Sequence, residues 1–301
     1  MQPLLSICIP TKDRVDILRK TLKSIFEQDV PKNLYEVCVS DNSPSDETRE
    51  LIRNEFSCFT NLRYQKSSCE GFLNSIESLK IGQGKLLKLH NDYSEFKDGS
   101  IKKILDLIRE YSESKPLIFF SMNTLKNQKK ITEFVEFNSF LYNISYWSTW
   151  SSAFSIWKND LDMLLGKNVQ VDQMFPHTTL LFALTKKKLY VVDDSDYVEN
   201  LPLKKKGGYN LVDNFVRIYL AMVHNLLIKG YILKSTYEKI EHQIIKFIAS
   251  WYAIVKTNSN FTFSFDRKNQ LIRQRSGIHG LCEFYLYYVY YYTKEVIKNS
   301  F

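Results

Sequence analysis

Three aspartates stand where an apolar run gives way to a polar loop: Asp13, Asp41 and Asp92. The third has the fullest setting. Leu86, Leu87 and Leu89 form a short apolar run that predicts a buried strand. It ends in His90, Asn91 and Asp92, and Lys97-Asp98-Gly99-Ser100 then leads into an amphipathic pattern from Ile101. The order is strand, polar tip, loop, helix. In an open α/β sheet, ligands bind in the crevice outside the carboxyl ends of the strands. A carboxylate placed there can hold a metal ion or a ligand hydroxyl. Asp92 equally suits a plain turn, since Asn and Asp favour turns. Asp41 and Asp46 equally suit helix caps, and Asp13 a pairing with Arg14.

The elements that must position these tips follow from periodicity. Leu4 to Ile9 is a compact apolar run ended by Pro10 and predicts a parallel strand buried on both faces. Ile17, Leu18, Leu22, Ile25 and Phe26 recur at helical spacing, predicting a helix over 16–28. Strands are predicted at 35–40 and 62–64, with helices from about 45 and over 71–80. Strand, helix, strand, helix, strand, helix, strand is the pattern of a mostly parallel sheet with helices on both faces. Right-handed crossovers bring the ends of such strands along one edge, so the three carboxylates are expected to face one cleft. Further on, a helix is predicted over 101–111, a strand at 117–122, a strand or hairpin arm within 132–141, a helix over 158–165, a loop at 171–177, a helix over 178–185 and a strand at 189–192.

Residues 146–157 hold three Trp and five Ser or Thr in twelve positions. They suit a core strand with aromatic packing. They also suit a sugar-contacting wall, because aromatic faces stack on sugar faces while hydroxyls hydrogen-bond the ring. Lys204-Lys205-Lys206-Gly207-Gly208-Tyr209-Asn210 is expected to be a flexible basic loop, wrongly spaced for a Walker loop. From about Leu211 the pattern is helical and ends in a tyrosine-rich run, 284–292. Tyrosine has an apolar body and a wet tip, which suits packing on the core, a subunit interface or a membrane surface.

The bulk numbers bound these readings. The chain has 301 residues, 44% hydrophobic and 25% charged, which suits a core domain with an appendage. The boundary is expected near 205, giving 1–205 and 206–301. Net charge is +8, which suits anionic partners. Nucleic acid is not expected, because no recognised binding motif is present. Five scattered cysteines with no C-x-x-C pair argue for a reducing compartment and against structural zinc. No stretch approaches the roughly 18 apolar residues that span a bilayer, and no signal peptide is read at the N-terminus. The expected location is cytoplasmic, with peripheral contact at the inner face of the cell membrane.

Several segments resemble a known family. Leu5-Ser-Ile-Cys-Ile-Pro-Thr-Lys-Asp-Arg14, Val39-Ser-Asp-Asn-Ser-Pro-Ser-Asp-Glu-Thr48, and Gly84 ahead of Leu-Leu-Lys-Leu-His-Asn-Asp-Tyr are similar to inverting glycosyltransferases of family 2, which have the GT-A fold. Lys97-Asp-Gly-Ser-Ile and Phe175-Pro-His177 resemble the O-antigen and capsule transferases of the abequosyltransferase kind. The resemblance covers about residues 4–200. It implies a GT-A, Rossmann-like α/β fold with a C-terminal helical region for acceptor, membrane-surface or oligomer contacts. By the same resemblance, Pro10, Thr11, Asp13, Arg14 and Asp41 fall where the family holds the nucleotide, and Asn91-Asp92 where its D-x-D motif holds a divalent metal on the sugar diphosphate. Asp92 is thereby the metal ligand, with Mn²⁺ or Mg²⁺ as the ion. Asp172 falls near the acidic catalytic base. Trp150, Ser151 and Ser152 fall near the acceptor side, with His177 added there as the alternative base. The tip reads Asn91-Asp92-Tyr93 where the family carries two or three acids, and Val171-Asp172 stands where it shows adjacent Glu-Asp.

The implied reaction moves a sugar from a nucleoside-diphosphate sugar to a hydroxyl of a saccharide or lipid-linked acceptor in surface polysaccharide synthesis, with a homo-oligomer as the assembly. The competing reading is a catalytically degenerate GT-A module that binds nucleotide sugars or partners. A nucleotidyltransferase would want a Gly-rich N-terminal loop, which Pro10-Thr-Lys-Asp-Arg14 lacks.

Overall fold

The computed structural model describes residues 2–203 and 206–299. The chain runs β1 (Leu5–Thr11), α1 (Val15–Phe26), β2 (Tyr35–Asp41), α2 (Glu47–Glu55), β3 (Leu62–Lys66), α3 (Asn74–Ile81), β4 (Leu86–Leu89), β5 (Ser94–Phe96), α4 (Ser100–Glu110), β6 (Leu117–Phe120), β7 (Ile131–Phe134), α5 (Phe137–Ile144), β8 (Ser155–Trp157), α6 (Lys158–Gly166), α7 (Pro176–Ala183), β9 (Tyr190–Asp193) and β10 (Val198–Asn200). Then come β11 (Lys206–Asn210), a π-helical stretch Asp213–Tyr219, α8 (Leu220–Ile228), α9 (Lys234–Thr257), β12 (Phe261–Ser264) and α10 (Lys268–Asn299). Helix α10 is two helices meeting at Gly277, whose φ of 67° breaks the helical run.

The chain divides into two units. One comprises Met1–Phe140 and Trp147–Pro202, the other Leu141–Tyr146 and Leu203–Phe301. The first holds a five-stranded sheet in the order β3-β2-β1-β4-β8. Strands β3, β2, β1 and β4 are parallel, and β8 closes the edge antiparallel to β4. The period-2 alternation of strands divides the faces. Leu5, Ile7 and Ile9 of β1 and Val37 and Val39 of β2 join a core with Leu18, Leu22 and Ile25 of α1 and Ile101, Ile104 and Ile108 of α4. The alternate residues face α3, where Asn74 bonds both the hydroxyl and the carbonyl of Ser40. The expected doubly buried parallel strands are therefore present. A smaller sheet, β6-β9-β7, and a β5-β10 pair complete the unit.

Gly84 shows why β4 starts where it does. A Cβ there would lie 2.7 Å from the Ser6 amide nitrogen and 2.8 Å from the Leu5 carbonyl carbon. Its amide instead donates to Ser6 Oγ (2.8 Å) and to buried Glu36 Oε1 (3.0 Å). Glu36 also takes Ser6 Oγ at 2.7 Å and Arg63 Nε at 2.7 Å, so one carboxylate clasps the starts of β1, β2 and β4.

Four expectations are corrected. Residues 206–210 form β11, paired parallel with β12 across a register shift, in place of a loop; Lys204 and Lys205 lie outside the described residues. The hairpin arm within 132–141 is strand only over Ile131–Phe134, and Phe137 already begins α5. The 146–157 segment is 3₁₀ turns at Ser145–Thr149 and Ser151–Ala153, with strand only at Ser155–Trp157. The 171–177 loop ends at Phe175, because Pro176 occupies the first helical position of α7, where its missing N–H costs nothing.

Candidate active site

The carboxyl ends of β1, β2 and β4 bring the predicted loops together. His90 N donates to the Cys8 carbonyl of β1 (2.8 Å), and the Asp92 carbonyl accepts Thr21 Oγ1 of α1 (2.8 Å). The tip is thus held by a strand and a helix. Thr11 Oγ1 donates to Asp92 Oδ2 at 2.8 Å, and Arg14 Nε forms an ion pair with the same oxygen at 2.9 Å. The guanidinium carbon of Arg14 lies 5.6 Å from the centre of the Tyr93 ring, within cation–π range. Asp92 itself is 1% exposed. Burial raises its pKa, and the Arg14 charge and the hydroxyl of Thr11 oppose that rise.

Asp41 is fully buried. Its Oδ1 accepts the amide (2.9 Å) and the hydroxyl of Ser43, and its Oδ2 accepts Tyr64 Oη (3.0 Å) and Lys66 Nζ (3.4 Å). Lys66 also bonds the Ser45 carbonyl. Asp41 therefore organises the loop after β2 and presents no free oxygen. Asp13 is exposed, with φ of 54°, and its amide donates to Ser43 Oγ at 2.8 Å. That bond ties the β1 loop to the β2 loop. Pro10 stands beside Ser40 in the ladder.

The residues expected on the acceptor side divide. Trp150 and Ser151 are half-buried, and Trp150 packs 5.7 Å from Trp147 between ring centres. Ser151 Oγ lies 3.4 Å from Asn91 Oδ1, bringing the turn against the tip. Ser152 is wholly buried and cannot meet an acceptor; its carbonyl accepts Lys88 Nζ at 2.9 Å. Trp157 is core, with its indole nitrogen on the Pro116 carbonyl. His177 is corrected too. It is 5% exposed, its Nε2 lies 2.9 Å from the Thr149 carbonyl, and burial lowers its pKa to about 4. It fastens α7 to the 147–149 turn and is not placed to act as a base.

Asp172 is half-buried. Its Oδ1 accepts the amides of Met174 and Phe175, both at 2.8 Å, which fixes the turn that leads into α7. Its Oδ2 takes no donor among the described residues. Helix α7 in turn bonds the Ser148 carbonyl through Thr178 Oγ1 (2.9 Å) and the Thr149 carbonyl through His177. A bonded path thus runs from Asp172 through α7 and residues 148–152 to Asn91 and Lys88.

Lys88 was not among the predicted site residues. It is fully buried at the third position of β4, with Nζ on the carbonyls of Leu89 (3.1 Å) and Ser152 (2.9 Å) and 5.3 Å from the Phe120 ring centre. Burial drops its pKa to about 7. The signal was present: a lysine inside an apolar run on a doubly buried strand has no route to solvent on either face.

The tip offers a divalent ion one carboxylate, and Arg14 is already ion-paired with it. Mg²⁺ and Mn²⁺ want spare carboxylate and carbonyl oxygens. Asp92 Oδ2 is taken by the Thr11 hydroxyl and the Arg14 guanidinium, while Oδ1 accepts no donor among the described residues. Among the described residues no three His, Cys, Asp or Glu side chains group to hold a metal.

Comparison with known proteins agrees with this architecture. Residues 6–114 match the family described as Glycosyl transferase family 2. That match is to the N-terminal part of the 301-residue chain alone. It is 31% identical over 114 residues to the GalNAc(5)-diNAcBac-PP-undecaprenol beta-1,3-glucosyltransferase of Campylobacter jejuni, covering 36% of this chain and 35% of that protein. It is 35% identical over 60 residues to the glycosyltransferase AglE of Haloferax volcanii, covering 20% of each. The matches thus span well under half the length of these relatives. Among solved structures, S. aureus TarS in complex with UDP-GlcNAc superposes with a TM-score of 0.57 at 16% identity, covering 94% of this chain and 80% of that one. A further TarS structure gives 0.58 at 14%, covering 97% and 90%. At that identity the likeness is one of fold, the GT-A fold of glycosyltransferases. Among the described residues no helix is long and apolar enough to cross a membrane.

Proposed function

We propose that the protein is an inverting glycosyltransferase that moves a sugar from a nucleoside-diphosphate sugar to a hydroxyl of a saccharide or lipid-linked saccharide. The observation that carries this reading is the convergence of the β1, β2 and β4 ends, with Thr11, Arg14, Asp41, Asn91 and Asp92 tied together within the stretch that matches family 2. The donor nucleotide lies over the β1 and β2 loops. Asp41 acts through the Ser43, Tyr64 and Lys66 groups it orders. An acceptor hydroxyl is a poor nucleophile until a base takes its proton in the transition state. Asp172 is that base: one oxygen is fixed by two amides, and the other takes no donor among the described residues. Attack opposite the leaving diphosphate inverts the anomeric centre. Trp150 and Ser151 line the acceptor side. The lipid-linked class of acceptor is supported by the undecaprenol-linked substrate in the name of the C. jejuni relative. The C-terminal helices are the surface for acceptor-bearing membrane or for a second copy.

The test is transfer. Purified protein is offered UDP-, GDP-, CDP- and dTDP-sugars with lipid-linked saccharide acceptors, and the anomeric configuration of any product is read by NMR. A product of inverted configuration is expected. A product of retained configuration removes the Asp172 mechanism. Donor binding without turnover across the panel moves the reading to a binding module, which the pairing of Asp92 with Arg14 favours.

A further inference from the structure

Metal sites and anion sites need opposite inventories. A cation needs spare acceptors, and an anion needs spare donors. At the Asn91-Asp92-Tyr93 tip the single carboxylate is 1% exposed, and its Oδ2 is already taken by Thr11 Oγ1 and paired with Arg14 Nε. Spare donors stand beside that pair. Arg14 pairs with Asp92 through Nε, and its side chain is 35% exposed. The Nδ2 of Asn91 is buried with no acceptor among the described residues. Arg14 is also pre-set, with the Asp92 oxygen at 2.9 Å on one side and the Tyr93 ring at 5.6 Å on the other. A guanidinium held in one plane matches phosphate oxygens in paired hydrogen bonds.

We propose that Arg14, oriented by Asp92 and Tyr93, takes the place of the divalent ion and binds the donor's diphosphate directly, so that nucleotide binding needs no metal. This rests on the donor-binding reading above. Asp92 becomes a positioning residue for the arginine, and the Asn91 amide a second donor to the same anion. The leaving diphosphate is then stabilised by a fixed organic cation, which unlike a metal cannot be removed by chelation.

The experiment is calorimetric titration of the full chain with UDP, GDP, CDP and dTDP, each in EDTA and again in Mn²⁺, followed by the matching nucleoside monophosphate. One diphosphate is expected to bind with the same affinity in both buffers. Arg14→Ala is expected to weaken that diphosphate about 10- to 150-fold, the range for losing hydrogen bonds to a charged group, while leaving the monophosphate nearly unchanged. Arg14→Lys keeps the charge without the fork and is expected to fall between. Thermal melts of both variants check that they fold; Arg14 is on the surface, and Arg14→Lys tests the site if Arg14→Ala is damaged. Diphosphate binding that appears only with Mn²⁺ overturns the proposal and leaves the donor site standing. Metal-free binding untouched by either variant overturns the role of Arg14 alone. No binding of any of the four diphosphates overturns both this proposal and the donor reading.

Discussion

Replacing Lys88 with methionine removes a buried ammonium group at nearly constant length. In the native protein burial brings the pKa from the ordinary 10.5 to about 7. The unfolded chain keeps its proton up to about 10.5. Between these values the unfolded state binds one more proton than the native state, so native stability rises with pH across the window. Below about pH 7 both states are protonated and the penalty is constant. At 1.36 kcal/mol per pH unit it amounts to about 5 kcal/mol at low pH and about 2 kcal/mol at pH 9. Wild-type protein therefore gains about 3 kcal/mol from this group between pH 7 and pH 9. Methionine has no proton to exchange and gains nothing. It also deprives the carbonyls of Leu89 and Ser152 of a donor, at about 1–3 kcal/mol each. The variant is expected to be near wild type at pH 6 to 7 and to fall behind by about 3 kcal/mol at pH 9. Urea unfolding followed by circular dichroism at pH 6, 7.5 and 9 measures this. Every other titrating group is common to both proteins, so the difference isolates Lys88. A stability difference that changes by less than about 1 kcal/mol over that range refutes a buried, deprotonating lysine.

Three further outcomes are expected. Asp172→Asn keeps a side-chain oxygen for the Met174 and Phe175 amides and should melt like wild type and bind donor, yet lose transfer; Asp172→Ala should lose transfer and also about 1–3 kcal/mol of stability through the two lost turn bonds. Retained transfer in Asp172→Asn places the base elsewhere. On the acid side, His90 and His177 are held neutral by burial, with pKa values lowered to about 3 and about 4. The unfolded chain takes up their protons below about pH 6.5, so stability should drop by about 3 kcal/mol between pH 6.5 and pH 5; His177→Phe should roughly halve that slope in denaturant titrations, and an unchanged slope rejects the assignment. Gly84→Ala drives a methyl into the β1 backbone and should cost about 1–3 kcal/mol, read as a lower thermal midpoint; a wild-type midpoint rejects the clasp at Glu36.

The parallel core was legible because strands buried on both faces leave uninterrupted apolar runs, and because helices packed on them repeat at 3.6 residues. The short strands were not. β5 is three residues long and finds β10 about a hundred positions later, and neither has room for a pattern. β11 contains Gly207 and Gly208, residues depleted in strands, so composition spoke for a loop; its pairing with Phe261–Ser264 is a tertiary choice. The site divides in the same way. Residue types at strand ends were readable, but a carboxylate's function depends on which of its oxygens is free. Asp41 and Asp92 look alike in sequence, and both prove buried and paired, one by a lysine and a tyrosine from β3, the other through Oδ2 by Thr11 and Arg14. Arg14 adjoins Asp13 in the chain yet pairs with Asp92, because β1 and β4 are neighbours in the sheet while Asp13 turns outward at positive φ. Asp172 is the less enclosed case: its turn bonds use one oxygen and leave the other without a donor among the described residues, which lets the proposed base share a side chain with a structural role. Chemistry at this edge is therefore decided by spare valence, and the spare groups are the guanidinium fork of Arg14, the Asn91 amide and one oxygen each of Asp92 and Asp172.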